Sequence, residues 1–382
     1  MNKKCDIIIP IWNNLEYTKE CIEAIIANTE YPYRLILVDN ASDKETAAYL
    51  DSVCGKADAV LIRNSHNEGF IKAVNQGLKL SDAPFICALN NDTIPGKGWL
   101  TAMTDFADSN PDIGLINPQC SGHGALPINE YALSLRKNKS EYMEMNQCQG
   151  FCMLMSRKVL DALGCMDEAF GIGGFDDTDY SMRAHLAGFR SAAIRDAYVY
   201  HRQHASFDRS GDREQWVRRN EEIYYRKWGR PIRCAVSAAI AGDRWNEDLK
   251  AVMLLSYGLA REWSWVHIWL NSPKPRQELA RSVEEVLREE GLKPHQNFKI
   301  AYFSMPNVIF KLTVLVKCLE RLKPRMARKR FNALISTGPD IVSFVSPFRK
   351  LFGVRLLSID PNEKVSWLER GREAAGSIKR RG

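Results

Sequence analysis

Three oxygen-bearing side chains, Asn90, Asn91 and Asp92, directly follow a short apolar run at Phe85–Leu89. The length of this run and the proline before it predict a buried strand. Ligands bind at the carboxyl ends of strands in open α/β sheets. A carboxylate flanked by amide oxygens suits a hard cation such as Mg²⁺ or Mn²⁺, which keeps positions open for substrate phosphates. Taken alone, the same residues are also compatible with a turn that uses Asx hydrogen bonds.

A second group of acidic side chains follows a glycine-rich turn at residues 170–175. Asp176, Asp177 and Asp179 come at the start of a predicted helix, where acidic residues complement the positive helix end. The pair is therefore compatible with a simple helix-start signal. The functional interpretation is a general base, because adjacent carboxylates disfavour joint ionisation and so raise a pKa towards a useful range.

One histidine could complete a metal site. His201 follows a strand-like run at residues 192–200, and His204 comes shortly after it. A lone histidine after a strand is often structural. Here it would supply the nitrogen ligand that the Asn90–Asp92 group lacks.

Strands alternate with helices through the first 230 residues, which predicts a parallel sheet with helices on both faces. The predicted strands end on polar or aromatic residues, so Trp12, Asp39, Asn67 and Asp92 should meet at one edge of the sheet. Residues 118–146 lack a clear pattern and are predicted to form a loop or flap. The predicted strands of this half lie at residues 5–11, 34–38, 59–63, 85–89, 149–156 and 192–200.

From about residue 229 the pattern restarts, with five strand–helix units and no G-x-G-x-x-G motif. We expect domains at residues 1–230 and 231–382, the second one Rossmann-like and serving acceptor docking or assembly. It includes a predicted long helix at residues 308–330. Residues 317–330 contain seven basic residues and one acidic residue, Glu320. The segment is a solvated helix end or a surface for an anionic membrane or acidic glycan.

The amino-acid composition limits the kinds of partner and location to expect for this protein. The 382 residues are 45% hydrophobic and 26% charged, with a formal net charge of +7. This mild basicity fits anionic substrates or a membrane surface. The ten cysteines form no C-x-x-C pair, which favours reduced thiols. No apolar run is long enough to span a membrane, and no nucleic-acid motif accompanies the basic residues. We expect a cytoplasmic protein, with peripheral membrane contact as an option.

Five motifs in a fixed order give the chain between about Lys4 and Tyr225 its resemblance to an inverting family 2 glycosyltransferase of GT-A fold. The subgroup it resembles comprises rhamnosyl-type and other cell-surface polysaccharide transferases. The five motifs are Ile8-Ile9-Pro10-Ile11-Trp12-Asn13, Leu37-Val38-Asp39-Asn40-Ala41-Ser42, Asn67-Glu68-Gly69-Phe70-Ile71-Lys72-Ala73-Val74-Asn75-Gln76-Gly77, Leu89-Asn90-Asn91-Asp92-Thr93, and Gly174-Phe175-Asp176-Asp177-Thr178-Asp179-Tyr180 with His201.

The resemblance implies a role for each residue that matches a family motif. Asp92 would be the last acid of the D-x-D motif and would bind a divalent cation, with His201 completing the metal site. Asp177 would deprotonate the acceptor hydroxyl, and Asp176 would shape its pKa or hold the acceptor. The nucleotide-sugar site would comprise Pro10, Trp12 and Asp39 around the base, Asn67, Gly69 and Asn75 along the ribose and phosphates, and also Lys72, Asn90 and Asn91.

The implied reaction is a single displacement that moves a sugar from a nucleotide diphosphate to a hydroxyl of a glycan or lipid-linked acceptor. One departure concerns the metal, because Asn90 replaces the first acid of D-x-D and leaves the site one charge poorer. A catalytically inactive nucleotide-sugar-binding or scaffold protein therefore stays open as an alternative. A nucleotidyltransferase would require a glycine-rich, basic phosphate loop near the first strand, and Trp12-Asn13-Asn14 is not one.

Overall fold

The computed structural model describes residues 4–122, 124, 126–202, 213–337, 339–360, 363 and 365–379. The chain divides into two compact units, Met1–Gly229 and Arg230–Gly382. None of the helices within the described residues has the length and hydropathy that crossing a bilayer requires. His204, which the sequence pointed to beside His201, lies outside the described residues.

The first unit is built on one sheet that has nine strands among the described residues. The strands are β1 (Cys5–Ile11), β2 (Tyr33–Asp39), β3 (Ala59–Arg63), β4 (Phe85–Leu89), β5 (Thr93–Pro95), β6 (Ile113–Gln119), β7 (Tyr142–Met145), β8 (Cys152–Ser156) and β9 (Arg190–His201). Their order is β3-β2-β1-β4-β8-β6-β9-β5, and β7 also pairs with β9. The helices are α1 (Leu15–Asn28), α2 (Lys44–Cys54), α3 (Phe70–Leu80), α4 (Trp99–Ser109), α5 (Ile128–Leu135), α6 (Arg157–Leu163), α7 (Asp176–Leu186) and α8 (Arg213–Trp228).

The prediction of a parallel sheet is confirmed for β1 to β4 and is wrong for the second half of this unit. Strands β3, β2, β1 and β4 are parallel, but β8 runs antiparallel to both β4 and β6. Alternating elements predict a parallel sheet only where each helix crosses over to a neighbouring parallel strand. Between β4 and β8 the chain instead forms β5, β6 and β7, which lie beyond β8 in the strand order of the sheet.

The predicted flap at residues 118–146 is also wrong in its described part. It contains the end of β6, the helix α5 and the edge strand β7. Ala132 and Leu135 of α5 pack on Tyr198 of β9, and β7 pairs with β9. These short elements have weak local patterns, because partners distant in the sequence stabilise them.

Close packing of α3 on β1 positions the loop before α3. Gly77 of α3 lies against Ile8, and a Cβ at position 77 would come within 2.4 Å of the Ile8 side chain. The other face of β1, with Ile7 and Ile9, lies in the main buried cluster of the unit. The carboxyl end of β1 and the amino end of α3 are thereby held together at one edge of the sheet.

The second unit is an α/β domain whose five-stranded sheet is parallel throughout, in the order β12-β11-β10-β13-β14. Its strands are β10 (Arg233–Ala239), β11 (Trp265–Asn271), β12 (Phe298–Phe303), β13 (Ala333–Thr337) and β14 (Arg355–Ile359). Its helices are α9 (Trp245–Arg261), α10 (Arg276–Glu289), α11 (Asn307–Glu320), α12 (Pro339–Val345), α13 (Arg349–Phe352) and α14 (Trp367–Lys379).

The long helix predicted at residues 308–330 is shorter in the structure. It ends at Glu320, and a 3₁₀ segment, Pro324–Lys329, follows. Pro324 accounts for the break, because proline cannot donate the backbone hydrogen bond of a helix interior and disfavours helical geometry in the residue before it.

Candidate functional site

A cavity of about 430 Å³ lies at the carboxyl ends of β1 and β4. Eight of the residues predicted to form the site line it: Pro10, Trp12, Asn67, Gly69, Asn90, Asn91, Asp92 and His201. Eight further residues that the predicted site did not include also line it: Ile11, Asn40, Phe70, Ile172, Gly173, Gly174, Trp216 and Val217. Residues from distant parts of the first unit therefore converge on one chamber.

The pairing of β5 with β9 brings Asp92 and His201 together. Thr93 lies opposite His201 in this antiparallel pair, so Asp92 is one residue away from the histidine's partner. His201 Nε2 is 3.3 Å from Asp92 Oδ1. The imidazole is stacked on Phe151, with ring centroids 5.0 Å apart and planes at 14°. This stacking fixes the ring orientation, and the Asp92 side chain beside it is buried.

Asn90 presents a buried oxygen in the same cavity. Its Oδ1 has no hydrogen-bond partner among the described residues, whereas its backbone N–H donates to the carbonyl of Phe151 at 2.9 Å. A buried acceptor without a partner costs about 1–3 kcal/mol, which a ligand or a cation can recover. The Nδ2 of the neighbouring Asn91 donates to Thr18 Oγ1 at 3.0 Å.

These groups fit a hard divalent cation that is held with few protein charges. The described residues contain no cluster of three or more His, Cys, Asp or Glu side chains able to hold a metal. They do provide one carboxylate, one imidazole and the orphaned amide oxygen of Asn90. An oxygen-rich set with a single carboxylate suits Mg²⁺ or Mn²⁺ when a substrate supplies further oxygen ligands.

Asn40, which the predicted site did not include, organises the loop that carries Asn67 and Gly69. Its Nδ2 donates to Asn67 Oδ1 at 2.8 Å and to the Gly69 carbonyl at 3.2 Å. Its Oδ1 accepts from the Glu68 N–H at 2.9 Å and from Asn64 Nδ2 at 3.0 Å. Its position directly after β2, at the edge where ligands bind, is the signal that could have identified it.

Three residues predicted for the nucleotide-sugar site do not line the cavity. Asp39 is buried and accepts from Arg63 Nε at 3.0 Å and from the Ser42 N–H at 2.9 Å. Lys72 is exposed and pairs at 3.0 Å with Glu68, which lies just before α3.

The third of these residues, Asn75, is a structural clamp. Its Nδ2 donates to the Met166 carbonyl and to Glu168, both at 3.0 Å, and its Oδ1 accepts from the Met166 N–H at 2.9 Å. The polar groups of this buried side chain are used within the protein. The sequence shows that Asn75 lies on α3, but it does not show which way the side chain packs.

The glycine-rich turn delivers Asp176 and Asp177 to the start of α7. Neither side chain lines the cavity, although Gly173 and Gly174 of the turn do. The turn ends on Phe175, whose φ of 68° is unusual for a residue with a side chain. A strained residue of this kind persists only where its surroundings hold it.

The two carboxylates differ in burial, and the pKa of each is raised. Asp176 is buried, and burial together with the charge of Asp177 raises its pKa to about 7. Asp177 is partly exposed, and burial raises its pKa while N–H donors from Gly150 at 3.1 Å and Thr178 at 2.7 Å oppose that rise. Asp177 is therefore the more accessible carboxylate of the pair.

Helix α8, which the sequence reasoning did not identify, holds the glycine-rich turn in place. The Asn220 side chain is buried, and its Nδ2 lies 2.7, 3.0 and 3.1 Å from the carbonyl oxygens of Phe170, Gly173 and Gly174. Tyr224 packs on Phe175 with ring centroids 5.6 Å apart. The same helix places Trp216 and Val217 on the cavity wall.

Comparison with known proteins finds similarity to glycosyltransferases within the first unit. Residues 6–164 match the family model described as "Glycosyl transferase family 2". The chain is 25% identical over 253 residues, 58% of its length, to "Uncharacterized protein y4gI" of Sinorhizobium fredii, and it spans 27% of that protein. It is 23% identical over 252 residues, 59% of its length, to "O-antigen biosynthesis protein RfbC" of Myxococcus xanthus, of which it spans 19%. "Glycosyltransferase GlyG" of Streptococcus pneumoniae matches at 24% over 104 residues, 27% of this chain and 35% of that protein.

Two solved structures show weaker likeness. The mannosyltransferase PcManGT from Pyrobaculum calidifontis, in complex with GDP-Man and Mn²⁺, is 16% identical with a TM-score of 0.46, over 84% of this chain and 81% of that one. GalNAc-T7 with UDP, GalNAc and Mn²⁺ is 15% identical with a TM-score of 0.48, over 76% and 55%. The fold assignment therefore stands on the topology and the family match.

The match of residues 6–164 to the glycosyltransferase family model supports the predicted class of enzyme, a glycosyltransferase, for that part of the chain. The predicted fold class, a GT-A type α/β unit followed by a second α/β unit, is confirmed as well. The chain spans about a quarter of the length of the y4gI protein.

Proposed function

We propose that the first unit is an inverting glycosyltransferase that moves a sugar from a nucleotide-diphosphate donor to a hydroxyl of a glycan or lipid-linked acceptor. The observation that carries the proposal is the cavity in which Asp92, His201 and the orphaned oxygen of Asn90 meet an exposed aromatic ring, Trp12. An aromatic wall for a base beside a cation-compatible group is what a nucleotide diphosphate requires.

The donor would lie along the carboxyl edge of the sheet. The indole of Trp12 is 44% exposed, so it is free to stack on a nucleobase. Asn67 and Gly69, held by Asn40, would contact the ribose and phosphates. Gly69 has a φ of +84°, and a Cβ there would lie 3.4 Å from the Gly171 carbonyl, so glycine keeps this wall open.

Asp92 and His201, with Asn90 Oδ1, would hold Mn²⁺ or Mg²⁺. When bound, such a cation neutralises charge on the departing diphosphate. Because Asp92 is the single carboxylate of this set, we expect the cation to bind tightly only together with the nucleotide. The buried setting of Asp92 strengthens that mutual dependence, because its charge is poorly solvated without a partner.

Asp177 would act as the general base. In a single displacement the acceptor oxygen forms the new bond to the anomeric carbon as the bond to the diphosphate oxygen breaks, which inverts the configuration. The proton of the acceptor hydroxyl passes to the Asp177 carboxylate, whose raised pKa favours proton uptake. Asp176 would shape that pKa through its proximity, or hold the acceptor.

The biological setting we propose is cell-surface polysaccharide synthesis by a rhamnosyltransferase-like enzyme in the cytoplasm. The similarity to a protein named for O-antigen biosynthesis supports this setting. For the second unit we propose a Rossmann-like domain for acceptor docking or assembly, with peripheral membrane contact through residues 317–330.

The test is the thermal stability of the full chain with UDP, dTDP, GDP or CDP, each with and without Mn²⁺. A ligand of the folded state raises the melting temperature by mass action. We expect one nucleotide to raise it only when Mn²⁺ is present. The Asp92→Asn variant should lose this shift, and Asp161→Asn, an exposed control in the same unit, should keep it. A flat response from every nucleotide with the native chain would overturn the proposal of a donor site.

Asn90 in the place of an acid favours one second candidate, an inactive nucleotide-sugar-binding or scaffold protein. The Asp177→Asn variant separates the two. A transferase loses turnover in this variant while its nucleotide-dependent thermal shift stays, because Asp177 lies outside the cavity. A native chain that gives the thermal shift and no transfer or donor hydrolysis would favour the binding protein.

A further inference from the structure

The second unit exposes an apolar stripe along α11. Five of its apolar side chains are 38–67% exposed: Val308, Ile309, Leu312, Val316 and Leu319. At 3.6 residues per turn these positions fall within an arc of about 100° on one side of the helix. Phe310, Val314 and Cys318 lie on another side and are buried in the core. The exposed stripe is therefore additional to the face that packs the helix on the sheet.

Basic residues border one end of this stripe. Residues 307–330 contain eight basic residues and one acidic residue, Glu320. After α11 ends, Arg321 Nη1 donates to the Lys329 carbonyl at 3.3 Å, and Arg330 donates to the Leu322 carbonyl at 3.4 Å. These hydrogen bonds hold the 3₁₀ segment against the end of the helix, where Lys323 and Lys329 are exposed.

A second exposed group, at residues 348–351, also combines apolar and basic side chains. Phe348 is 39% and Leu351 60% exposed, and Arg349 and Lys350 lie between them in the sequence and are exposed too. Phe352, which ends α13, belongs to the same buried cluster as Phe310 of α11. The helix α13 and the helix α11 therefore share one side of the sheet, so both exposed groups belong to this side.

The charges decide which partner fits. Single exposed apolar residues are ordinary, whereas a contiguous stripe marks an interaction surface. A two-fold dimer would bury the stripe, but residues 307–330 of the second copy would bring only one acidic residue, Glu320, to eight basic ones. An anionic bilayer offers an apolar interior beneath a layer of negative charge, and it matches both features at once.

We propose that α11 lies in the surface of an anionic lipid bilayer. Its exposed stripe enters the boundary between head groups and acyl chains, and Lys323, Lys329 and Lys350 contact lipid phosphates. This inference is independent of the transferase proposal, because it concerns the second unit and uses no residue of the cavity. It extends the role of residues 317–330 by adding the apolar side chains that basic residues alone lack.

The test is sedimentation of the full chain with vesicles of phosphatidylcholine alone, or with phosphatidylglycerol as about one lipid in three. We expect binding to the mixed vesicles, weakened by salt. Leu312→Gln with Val316→Gln should lower partitioning about tenfold, since it removes apolar surface from the inserted stripe. The matched control is Ile26→Gln with Leu133→Gln, two similarly exposed positions in the first unit.

A second pair of variants isolates the charges. Replacing Lys323, Lys329 and Lys350 with Gln should reduce binding at least about tenfold. Replacing Lys44, Lys56 and Lys97, three exposed lysines of the first unit, changes the net charge equally and should not. Equal losses from both triple variants, or no binding of the native chain at low salt, would overturn the proposal. A stripe variant that converts a dimer to a monomer without changing vesicle binding would also overturn it, in favour of a second copy as the partner.

Discussion

Replacement of Asn220 tests whether α8 holds the glycine-rich turn. In the Asn220→Ala variant the Gly173 carbonyl loses its buried donor, whereas the Phe170 carbonyl keeps the Gly173 N–H at 3.3 Å and the partly buried Gly174 carbonyl can turn to water. A buried acceptor left without a partner costs about 1–3 kcal/mol, so the free energy of unfolding should fall by about that amount. Urea titration of the full chain, followed by circular dichroism, measures this loss.

The isosteric Asn220→Asp variant gives a sharper result because its sign depends on pH. An ionised carboxylate at position 220 would face carbonyl oxygens and have no donor to offer them, so the loss at about pH 8 should exceed that of the Ala variant. Burial beside carbonyls would raise the pKa of this carboxyl in the folded state above the unfolded value of about 4. The loss is then largest above the folded pKa and shrinks as the pH falls towards the unfolded one, because a protonated carboxyl regains one O–H donor.

The matched control is Asn246→Asp, an exposed position on α9. It makes the same chemical change without burying a charge, so its stability should stay within about 0.5 kcal/mol of the native chain at either pH. If the Asn220→Asp variant were as stable as this control at about pH 8, the turn would not depend on the Asn220 amide.

Three further changes test packing and charge elsewhere. Gly77→Ala should lower the free energy of unfolding by about 1–2 kcal/mol, since overpacking against β1 outweighs the better helix propensity of alanine. Urea titration measures this loss. The control is Gly55→Ala, where the nearest non-neighbouring heavy atom would be 3.7 Å from the new Cβ. Gly258→Ala should cost about 3 kcal/mol or more, because its Cβ would lie 2.1 Å from a backbone carbonyl of α14; an unchanged urea midpoint would contradict this packing. Asp176→Asn should flatten the pH dependence of stability. The pKa of Asp176 in the folded state, about 7, lies above its unfolded value, so the native chain loses stability as the pH rises from about 4 to about 7. Parallel curves of stability against pH for the two proteins would refute the raised pKa.

The parts of the fold that the sequence predicted are those with strong local patterns. The bounds of β1, β3 and β4 agree with the predicted strands, because short, mainly apolar runs between polar loops favour a buried strand. The helix α2 begins directly after Asp43, whose side chain accepts from the Thr46 N–H at 2.8 Å and caps the first turn, a signal that can be seen in the sequence. The three-residue strand β5 and the edge strand β7 were missed, because pairing with β9 stabilises them and local pattern does not.

The residues of the candidate site likewise fall into those that the sequence could predict and those that it could not. Residues directly after a strand, such as Trp12 and Asp92, could be assigned to one edge of the sheet because parallel strands end together. Asn75 and Lys72 could not, since a helix position does not say whether a polar group faces a cavity, a neighbouring loop or solvent. Trp216 and Asn220 were missed because the charged pattern of α8 does not indicate that it packs on the glycine-rich turn.

The sequence by itself predicted the strands β1 to β4, the polar chemistry at their carboxyl ends and the class of enzyme. Local propensity and the order of the motifs are sufficient for these, because each depends on residues close together in the chain. Only the tertiary structure decided that Asp92 meets His201, that Asn90 keeps an unpartnered oxygen and that Asn220 holds the turn before Asp177. Each of these depends on strand pairing or packing across long sequence separations, whose geometry is specified by the whole sheet and by no single segment.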